Sequence, residues 1–281
     1  MAAKDLRVWK SRGVGVNHNG ESLINGQRTG PYTEPKTRNP IWANAPALNE
    51  LDMSRYTLFR DHFINPASAT ASDVHAYQSV DDGGTGTNAF QDAAGGIYNV
   101  VTAAADNDYH AMASLNQHWL FAAGAELWFE AGFKLAEANT NESTWWVGLT
   151  DTLTTGGMQA NALGPLASYD GALIYKTPEA ALTVNFETSN AGTQVSQAAF
   201  ATSVSDTWSR AGFYFDGTAT TSTITPYFHN GTSWTKGTAH SITLAGLAEM
   251  NLVFGVKAGP SGGAETLQMD YIQVMQVLTN Y

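Results

Sequence analysis

The stretch ELWFEAGFKL, residues 126–135, alternates between two kinds of side chain for ten residues. Every second position is apolar: Leu127, Phe129, Ala131, Phe133 and Leu135. The other face is mixed and mostly charged: Glu126, Trp128, Glu130 and Lys134. A period of two is the repeat of a β-strand, and one apolar face predicts a strand that is buried on one side. We therefore expect Glu126 and Glu130 to lie on a solvated outer face.

The same alternation recurs further along the chain, around residues 182–187, 210–216 and 252–256. Residues 266–278 are apolar on both faces, which predicts a central strand, whereas Pro226 predicts an edge or a bulge. Asp216-Gly217 and Asn230-Gly231 favour the positive φ angles of tight hairpins. Residues 103–121 fit a short helix or a strand equally well. Many short strands with little helix predict an all-β protein, an antiparallel two-sheet sandwich.

Charge divides the chain near residue 60. Residues 1–60 hold nine of the 14 Lys and Arg residues and five of the 25 acidic residues, so residues 61–281 carry five bases against twenty acids. Between residues 11 and 50 a glycine or proline recurs about every four or five positions, which excludes a long helix or a central strand. We predict an extended basic arm, residues 1–57, and a β-sandwich body, residues 58–281. The alternative is that the arm packs back on its own domain.

Composition excludes several classes of site. The chain has no cysteine, so it forms no disulfide framework and uses no thiolate. Its N-terminus lacks the apolar region of a signal peptide. No stretch approaches eighteen apolar residues, so we expect no membrane span. The acidic body is a poor partner for nucleic acid, because nucleic acid is itself negatively charged. The oxygen-rich segments at residues 81–82, 106–108 and 151 lack calcium-loop spacing, and the histidines lack zinc spacing. We expect no metal and no cofactor, with calcium the one ion left open.

Catalytic residues are not expected either. Glu126 and Glu130 share a face but lie four residues apart, about 13 Å at strand rise, whereas a retaining glycosidase pair lies about 5 Å apart. The sequence therefore predicts a protein that is not an enzyme, with a divergent glycosidase as the remaining enzymatic alternative.

The C-terminal strand LQMDYIQV, residues 267–274, resembles the last strand of the concanavalin A-like jelly-roll superfamily. Residues 145–151 (WWVGLTD) and 208–217 (WSRAGFYFDG) are similar to core strands of such domains. The resemblance covers residues 58–278 and implies a jelly-roll sandwich. It does not imply an activity, because jelly rolls carry many unrelated functions.

A plain Met1 start, a Gly/Pro-rich arm and a lectin-like body together resemble tailed-bacteriophage structural proteins, in particular capsid decoration (cement) proteins. The resemblance implies a virion protein, made in the host cytoplasm, that binds the outer capsid surface and stabilises the shell. Its partner would be the major capsid protein, and a homo-oligomer, with a trimer favoured, is expected. The expected partner-binding residues are the basic and aromatic residues of the arm: Arg7, Trp9, Lys10, Arg12, Arg28, Tyr32, Lys36, Arg38 and Trp42.

The alternative function is a carbohydrate-binding or host-adhesion module, lectin-like and mounted on a phage particle by the same arm. Its glycan would stack on aromatic residues of the body: Trp128, Trp145 or Trp146, Tyr214, Tyr227 and Trp234. The competing explanation of these aromatic residues is that they fill the core or an oligomer interface.

Overall fold

The computed structural model describes residues 14–16, 22–24, 27–28, 39–43, 45–46, 55–63, 77–82, 86–91, 96–138, 142–159, 164–177, 182–218 and 221–278, with the backbone alone in the first three ranges. Nineteen strands lie in these ranges: β1 Val14–Val16, β2 Ser22–Ile24, β3 Gln27–Arg28, β4 Tyr56–Asp61, β5 Tyr77–Asp81, β6 Thr87–Gln91, β7 Ile97–Val101, β8 Tyr109–Ser114, β9 Leu127–Ala136, β10 Thr144–Thr150, β11 Gly171–Lys176, β12 Thr183–Asn190, β13 Thr193–Thr202, β14 Ser209–Phe215, β15 Thr221–His229, β16 Trp234–Lys236, β17 His240–Thr243, β18 Asn251–Lys257 and β19 Thr266–Val277. Two short 3-10 turns, Pro40–Trp42 and Thr154–Gly157, complete the described elements.

The strands form three antiparallel sheets. β1, β2 and β3 make a small sheet within the arm, and the other two sheets form the body. The seven-stranded sheet has the order β13-β12-β11-β10-β18-β8-β5. The nine-stranded sheet has the order β16-β15-β14-β9-β19-β7-β6, with β17 paired to β15 and β4 paired to β19. The two large sheets pack face to face, so the predicted all-β antiparallel sandwich is confirmed.

Aromatic side chains from both sheets fill the space between them. Phe129 on β9 stacks on Phe213 of β14 with ring centroids 4.9 Å apart. The ring of Trp145, on the opposite sheet, lies against the rings of Phe133 and Phe228, with centroid distances of 4.6 and 5.9 Å. The apolar alternation read along residues 126–135 is therefore the core face of β9. Burial of these large rings supplies most of the stability of a sandwich of this size.

Three strand predictions from the sequence have informative outcomes. β19 is central in its sheet, since it pairs with β9 along one edge and with β7 and β4 along the other. Pro226 is not on an edge strand, because β15 lies between β14 and the β16–β17 pair. Proline is tolerated there because β17 pairs with residues 221–224 and β16 with residues 227–229, so neither ladder includes Pro226, whose carbonyl accepts from the Gly237 N–H at 2.9 Å. The ambiguous stretch 103–121 contains strand β8.

The described residues include no helix that is long and apolar enough to cross a membrane.

Candidate functional site

The predicted partner-binding residues fall mostly outside the part of the chain that the structure describes. Those outside it are Arg7, Trp9, Lys10, Arg12, Tyr32, Lys36 and Arg38, and they stay predictions. Arg28 lies in β3, where only the backbone is described. Trp42 is described, and it does not project toward a partner: it is 2% exposed and packs on the nine-stranded sheet of its own chain. For Trp42, therefore, the alternative of packing on its own domain is the observed arrangement.

Trp42 is held by Glu130, which is wholly buried rather than solvated as the alternation predicted. Asn39 Nδ2 donates to both oxygens of the Glu130 carboxylate at 3.1 Å, and the Trp42 indole N–H donates to Oε2. From β19, Tyr271 donates to Oε1 at 2.7 Å and Gln273 donates to Oε2 at 2.8 Å. A buried carboxylate needs such partners, because transfer from water without them is very unfavourable. We call residues 39–43 the arm root, and Glu130 fixes it to the body.

Two glycines on the outer face of the same sheet make room for this contact. A Cβ at Gly212 would lie 2.2 Å from the Phe129 carbonyl oxygen and 2.6 Å from Ile41 Cδ1 of the arm root. A Cβ at Gly132 would lie 2.4 Å from the Tyr271 ring. The outer face of the nine-stranded sheet is thus shaped to receive the arm root and the Tyr271 ring.

Four of the six aromatic residues predicted to stack on sugars are buried, one of them being Tyr227 at 8% exposure. Trp128, Trp145 and Trp146 are each 0% exposed. Trp145 lies in the core, and Trp128 packs beneath Trp42. Trp146 faces outward from the seven-stranded sheet but is covered by the loop after β10, where its indole N–H donates to the Gly156 carbonyl at 2.9 Å. For these three residues the core explanation is the observed one.

One tryptophan that the sequence reasoning did not select is exposed. Trp208 precedes β14 and is 42% exposed, while Trp234 on β16 is half-buried; the other described tryptophans are at most 3% exposed. Trp208 and Trp234 both face outward from the nine-stranded sheet. Each indole has a cation against its ring: Lys134 Nζ lies 5.7 Å from the Trp208 centroid, and Arg210 Cζ lies 4.8 Å from the Trp234 centroid. We call these four side chains the indole patch.

The backbone around Trp208 is fixed by its neighbours. The Asp206 N–H donates to the Leu135 carbonyl at 2.8 Å, and its carboxylate pairs with Lys134 at 3.1 Å. The β15–β16 hairpin closes the other side, where Gly231 has a φ of +90° and a Cβ would lie 2.5 Å from Thr207. The Asn-Gly hairpin signal thus has a second role, because only glycine lets the hairpin approach Thr207 this closely.

The spacing of the patch follows from the strand pairing. Arg210 pairs with His229, which pairs with Trp234, and Trp208 is two residues along from Arg210. At standard strand spacing the Cα atoms of Trp208 and Trp234 are about 12 Å apart. His229 lies between them, with its ring 5.1 Å from that of Trp234, and burial lowers its pKa below the usual value. Two indoles at this distance, with polar groups between them, suit an extended ligand rather than a single small ring.

Other surfaces of the described residues fit a ligand less well. A groove of about 200 Å³ is lined by Trp119, Leu115 and His118, and another of about 330 Å³ is lined by Thr and Ser hydroxyls of β12, β13 and β17. The first has its indole buried and the second has no aromatic side chain in its lining. Among the described residues no group of three or more His, Asp or Glu side chains could hold a metal ion.

Glu126 and Glu130 both have hydrogen-bond partners within the protein. Glu126 accepts a hydrogen bond from Tyr214, and both oxygens of Glu130 are used by the arm root and β19. The prediction that these two do not act as a catalytic pair stays a prediction, based on their separation along β9.

No protein-family model matches the chain, and no curated protein matches it in sequence. Solved structures do match it. A protein of unknown function from Shewanella oneidensis MR-1 superimposes with a TM-score of 0.55 at 12% identity, over 81% of this chain and 89% of that one. Peanut lectin superimposes with a TM-score of 0.53 at 13% identity, over 80% of this chain and 99% of the lectin chain. An endo-1,3-beta-glucanase from Streptomyces sioyaensis superimposes with a TM-score of 0.50 at 12% identity, over 79% of this chain and 97% of the glucanase chain. The fold is therefore the concanavalin A-like jelly roll, as the strand motifs predicted.

Proposed function

We propose that this protein is a carbohydrate-binding module, without catalytic activity, that binds its glycan on the indole patch of the nine-stranded sheet. The observation that carries the proposal is the exposed indole of Trp208, held in place from both sides. An exposed, pre-positioned indole is costly in water and is a typical binding anchor. The C–H groups of a pyranose face can stack on such a ring, and fixed polar groups beside it supply orientation.

The fold permits this function without requiring it. A lectin and a glucanase are both among the structures similar to this chain, so binding and cleavage are both compatible with the architecture. The indole patch offers stacking and hydrogen bonding around Trp208, and it has no pair of free carboxylates. Binding is therefore the better proposal for this surface.

We expect Trp208→Ala to weaken glycan binding by about tenfold or more, because a stacked anchor residue carries a large share of the interaction energy. The measurement is a glycan array with the full-length protein, followed by calorimetry on the best glycan. Leu115→Ala is the matched control, since Leu115 is also exposed, at 55%, but lies far from the patch on the other sheet. Both variants should keep the thermal midpoint of the parent.

Two results would contradict the proposal. One is binding that is unchanged in Trp208→Ala, which would place the glycan elsewhere. The other is release of reducing sugar from the bound glycan, which would make the protein a glycosidase.

We further propose that the arm mounts the module on a particle, with capsid decoration through the major capsid protein as the specific version. The arm root supports this proposal, because three hydrogen bonds from Asn39 and Trp42 to the buried Glu130 tie it to the body. A tether with a fixed base transmits attachment to the whole module, and several attached copies gain through effective concentration.

The arm is tested by co-sedimentation with undecorated phage capsids. We expect the full-length protein to pellet, and a chain that begins at residue 39, which retains the arm root, to stay in the supernatant. A full-length variant with Arg7, Lys10 and Arg12 replaced by glutamine should also pellet less. If the full-length protein itself stays in solution, the capsid proposal is wrong while the carbohydrate proposal stands.

A further inference from the structure

The accessible positive charge of the body is concentrated around the indole patch. Residues 39–278 contain seven Lys and Arg side chains: Arg55, Arg60, Lys134, Lys176, Arg210, Lys236 and Lys257. Lys176 and Lys257 are buried, at 0% and 1% exposure. Of the other five, all but Arg55 lie on the outer face of the nine-stranded sheet. A body with twenty acidic residues thus presents four of these five accessible cations on the face that carries both accessible indoles.

The positions of these cations follow from the strand pairing. Lys236 is exposed on β16, two residues from Trp234 and therefore on the same face, and it pairs with Tyr227. Arg60 pairs with Gln273, on the far side of β19. Lys134 and Arg210 lie directly against the two indoles. A ligand stacked on either ring would therefore have a cation at its edge, where a carboxylate or sulfate substituent would project.

The acidic groups near the indole patch, Glu130 and Asp206, do not neutralise the positive charge beside the two indoles. Glu130 is buried beneath the arm root, with Arg210 at 4.0 Å. Asp206 is 75% exposed and pairs with Lys134, so in the free protein it occupies the place that a ligand anion would take. An exposed pair of this kind contributes about 0.2–1 kcal/mol and is readily exchanged.

We infer that the glycan bound by the indole patch is an anionic oligosaccharide, one that carries carboxylate or sulfate groups. The inference rests on the proposed carbohydrate-binding function and adds its ligand class. The indoles supply stacking, and Lys134, Arg210 and Lys236 select the charge. The acidic remainder of the body repels such a ligand, which directs it to this face.

The test compares matched glycans that differ only in their anions. Full-length protein is titrated with hexagalacturonate and galactohexaose, and with sulfated and unsulfated forms of one backbone, at 50 and 300 mM salt. We expect the anionic member of at least one pair to bind about tenfold more tightly, with the preference shrinking at high salt. The two pairs separate a carboxylate-binding site from a sulfate-binding site.

Variants identify the charges responsible. Lys134→Gln with Lys236→Gln should remove most of the preference, whereas Asp206→Asn should strengthen binding of the anionic glycan about threefold by freeing Lys134. Arg55→Gln is the control, because Arg55 is an exposed base at the opposite end of the sheet from Lys134. Poly-L-glutamate of equal charge is the control for a polyanion without sugar rings, and it should bind much more weakly.

The outcomes are distinguishable. Equal affinity for neutral and anionic members, with binding still lost in Trp208→Ala, overturns the anionic inference and leaves the carbohydrate function intact. Binding to no glycan overturns both. Poly-L-glutamate that binds as tightly as the anionic glycan overturns the inference in favour of a general polyanion surface.

Discussion

Glu130→Gln is expected to lower the free energy of unfolding by about 2–4 kcal/mol, although the change removes no atoms from the site. The carboxylate accepts hydrogen bonds from Asn39, Trp42, Tyr271 and Gln273, all donors. A glutamine side chain turns one of the two acceptor oxygens into an NH₂ group that faces other donors. Buried donors without acceptors cost about 1–3 kcal/mol each, and a charged acceptor is worth more than a neutral one.

Chemical denaturation of the full-length protein measures this effect. Glu126→Gln is the matched control: it lies four residues earlier on the same face and also accepts from a tyrosine, Tyr214, but it is not buried. We expect the control to cost less than about 1 kcal/mol. Trp42→Phe, which removes one donor and keeps most of the ring volume, should cost less than Glu130→Gln. Equal costs for Glu126→Gln and Glu130→Gln would mean that Glu130 does not hold the arm root.

The strands and the core were predictable because their signals are local. The apolar face of residues 126–135 became the core face of β9, and the hairpins at residues 216–217 and 230–231 lie where the turn residues indicated. The jelly-roll fold was predicted from the resemblance of three short strand motifs, residues 145–151, 208–217 and 267–274. Each of these signals is contained within about ten residues.

The burial of Glu130 could not be predicted, because its cause is distant in the sequence. The residues that cover it, Asn39 and Trp42, are 91 and 88 positions away. Along β9 alone, the Glu130 position has the pattern of a solvated face. The one local indication is the glycine at 132, which is unusual in the middle of a strand and marks the close approach of Tyr271.

The indole patch was missed for a related reason. Trp208 lies in the stretch 208–217, which is similar to core strands of jelly-roll domains, and it is not among the aromatic residues expected to bind a glycan. Strand parity gives the correct assignment, since Ala211, Phe213 and Phe215 are buried on the inner face and Trp208 belongs with Arg210 on the outer one. Parity cannot show which outer aromatic residues are covered by other parts of the chain. Trp128 and Trp208 both lie on the outer face, but only Trp128 is covered, so only Trp208 is available to a ligand.

Lys176→Met is the second change with a large expected effect, a loss of about 3–5 kcal/mol of unfolding free energy. Lys176 is fully buried, pairs with Glu137 at 3.0 Å and donates to the Ser143 carbonyl at 2.6 Å. Removing one member of a buried ion pair leaves the other charge in a medium that solvates it poorly. Lys134→Met is the control, because Lys134 pairs with Asp206 at nearly the same distance, 3.1 Å, on the surface. We expect the control to cost less than about 1 kcal/mol.

The double variant Lys176→Met with Glu137→Gln should recover much of the loss, since a neutral pair of similar volume no longer requires a buried charge.

The pH dependence of the unfolding free energy gives an independent check. Burial lowers the pKa of Lys176 below its ordinary 10.5, against the opposing effect of Glu137. A lowered pKa in the folded state means a contribution to stability that is complete above 10.5 and lost as the pH falls through the folded value. The stability of the parent relative to Lys176→Met should therefore increase between pH 7 and pH 10, and a flat difference would show that the ammonium is not desolvated.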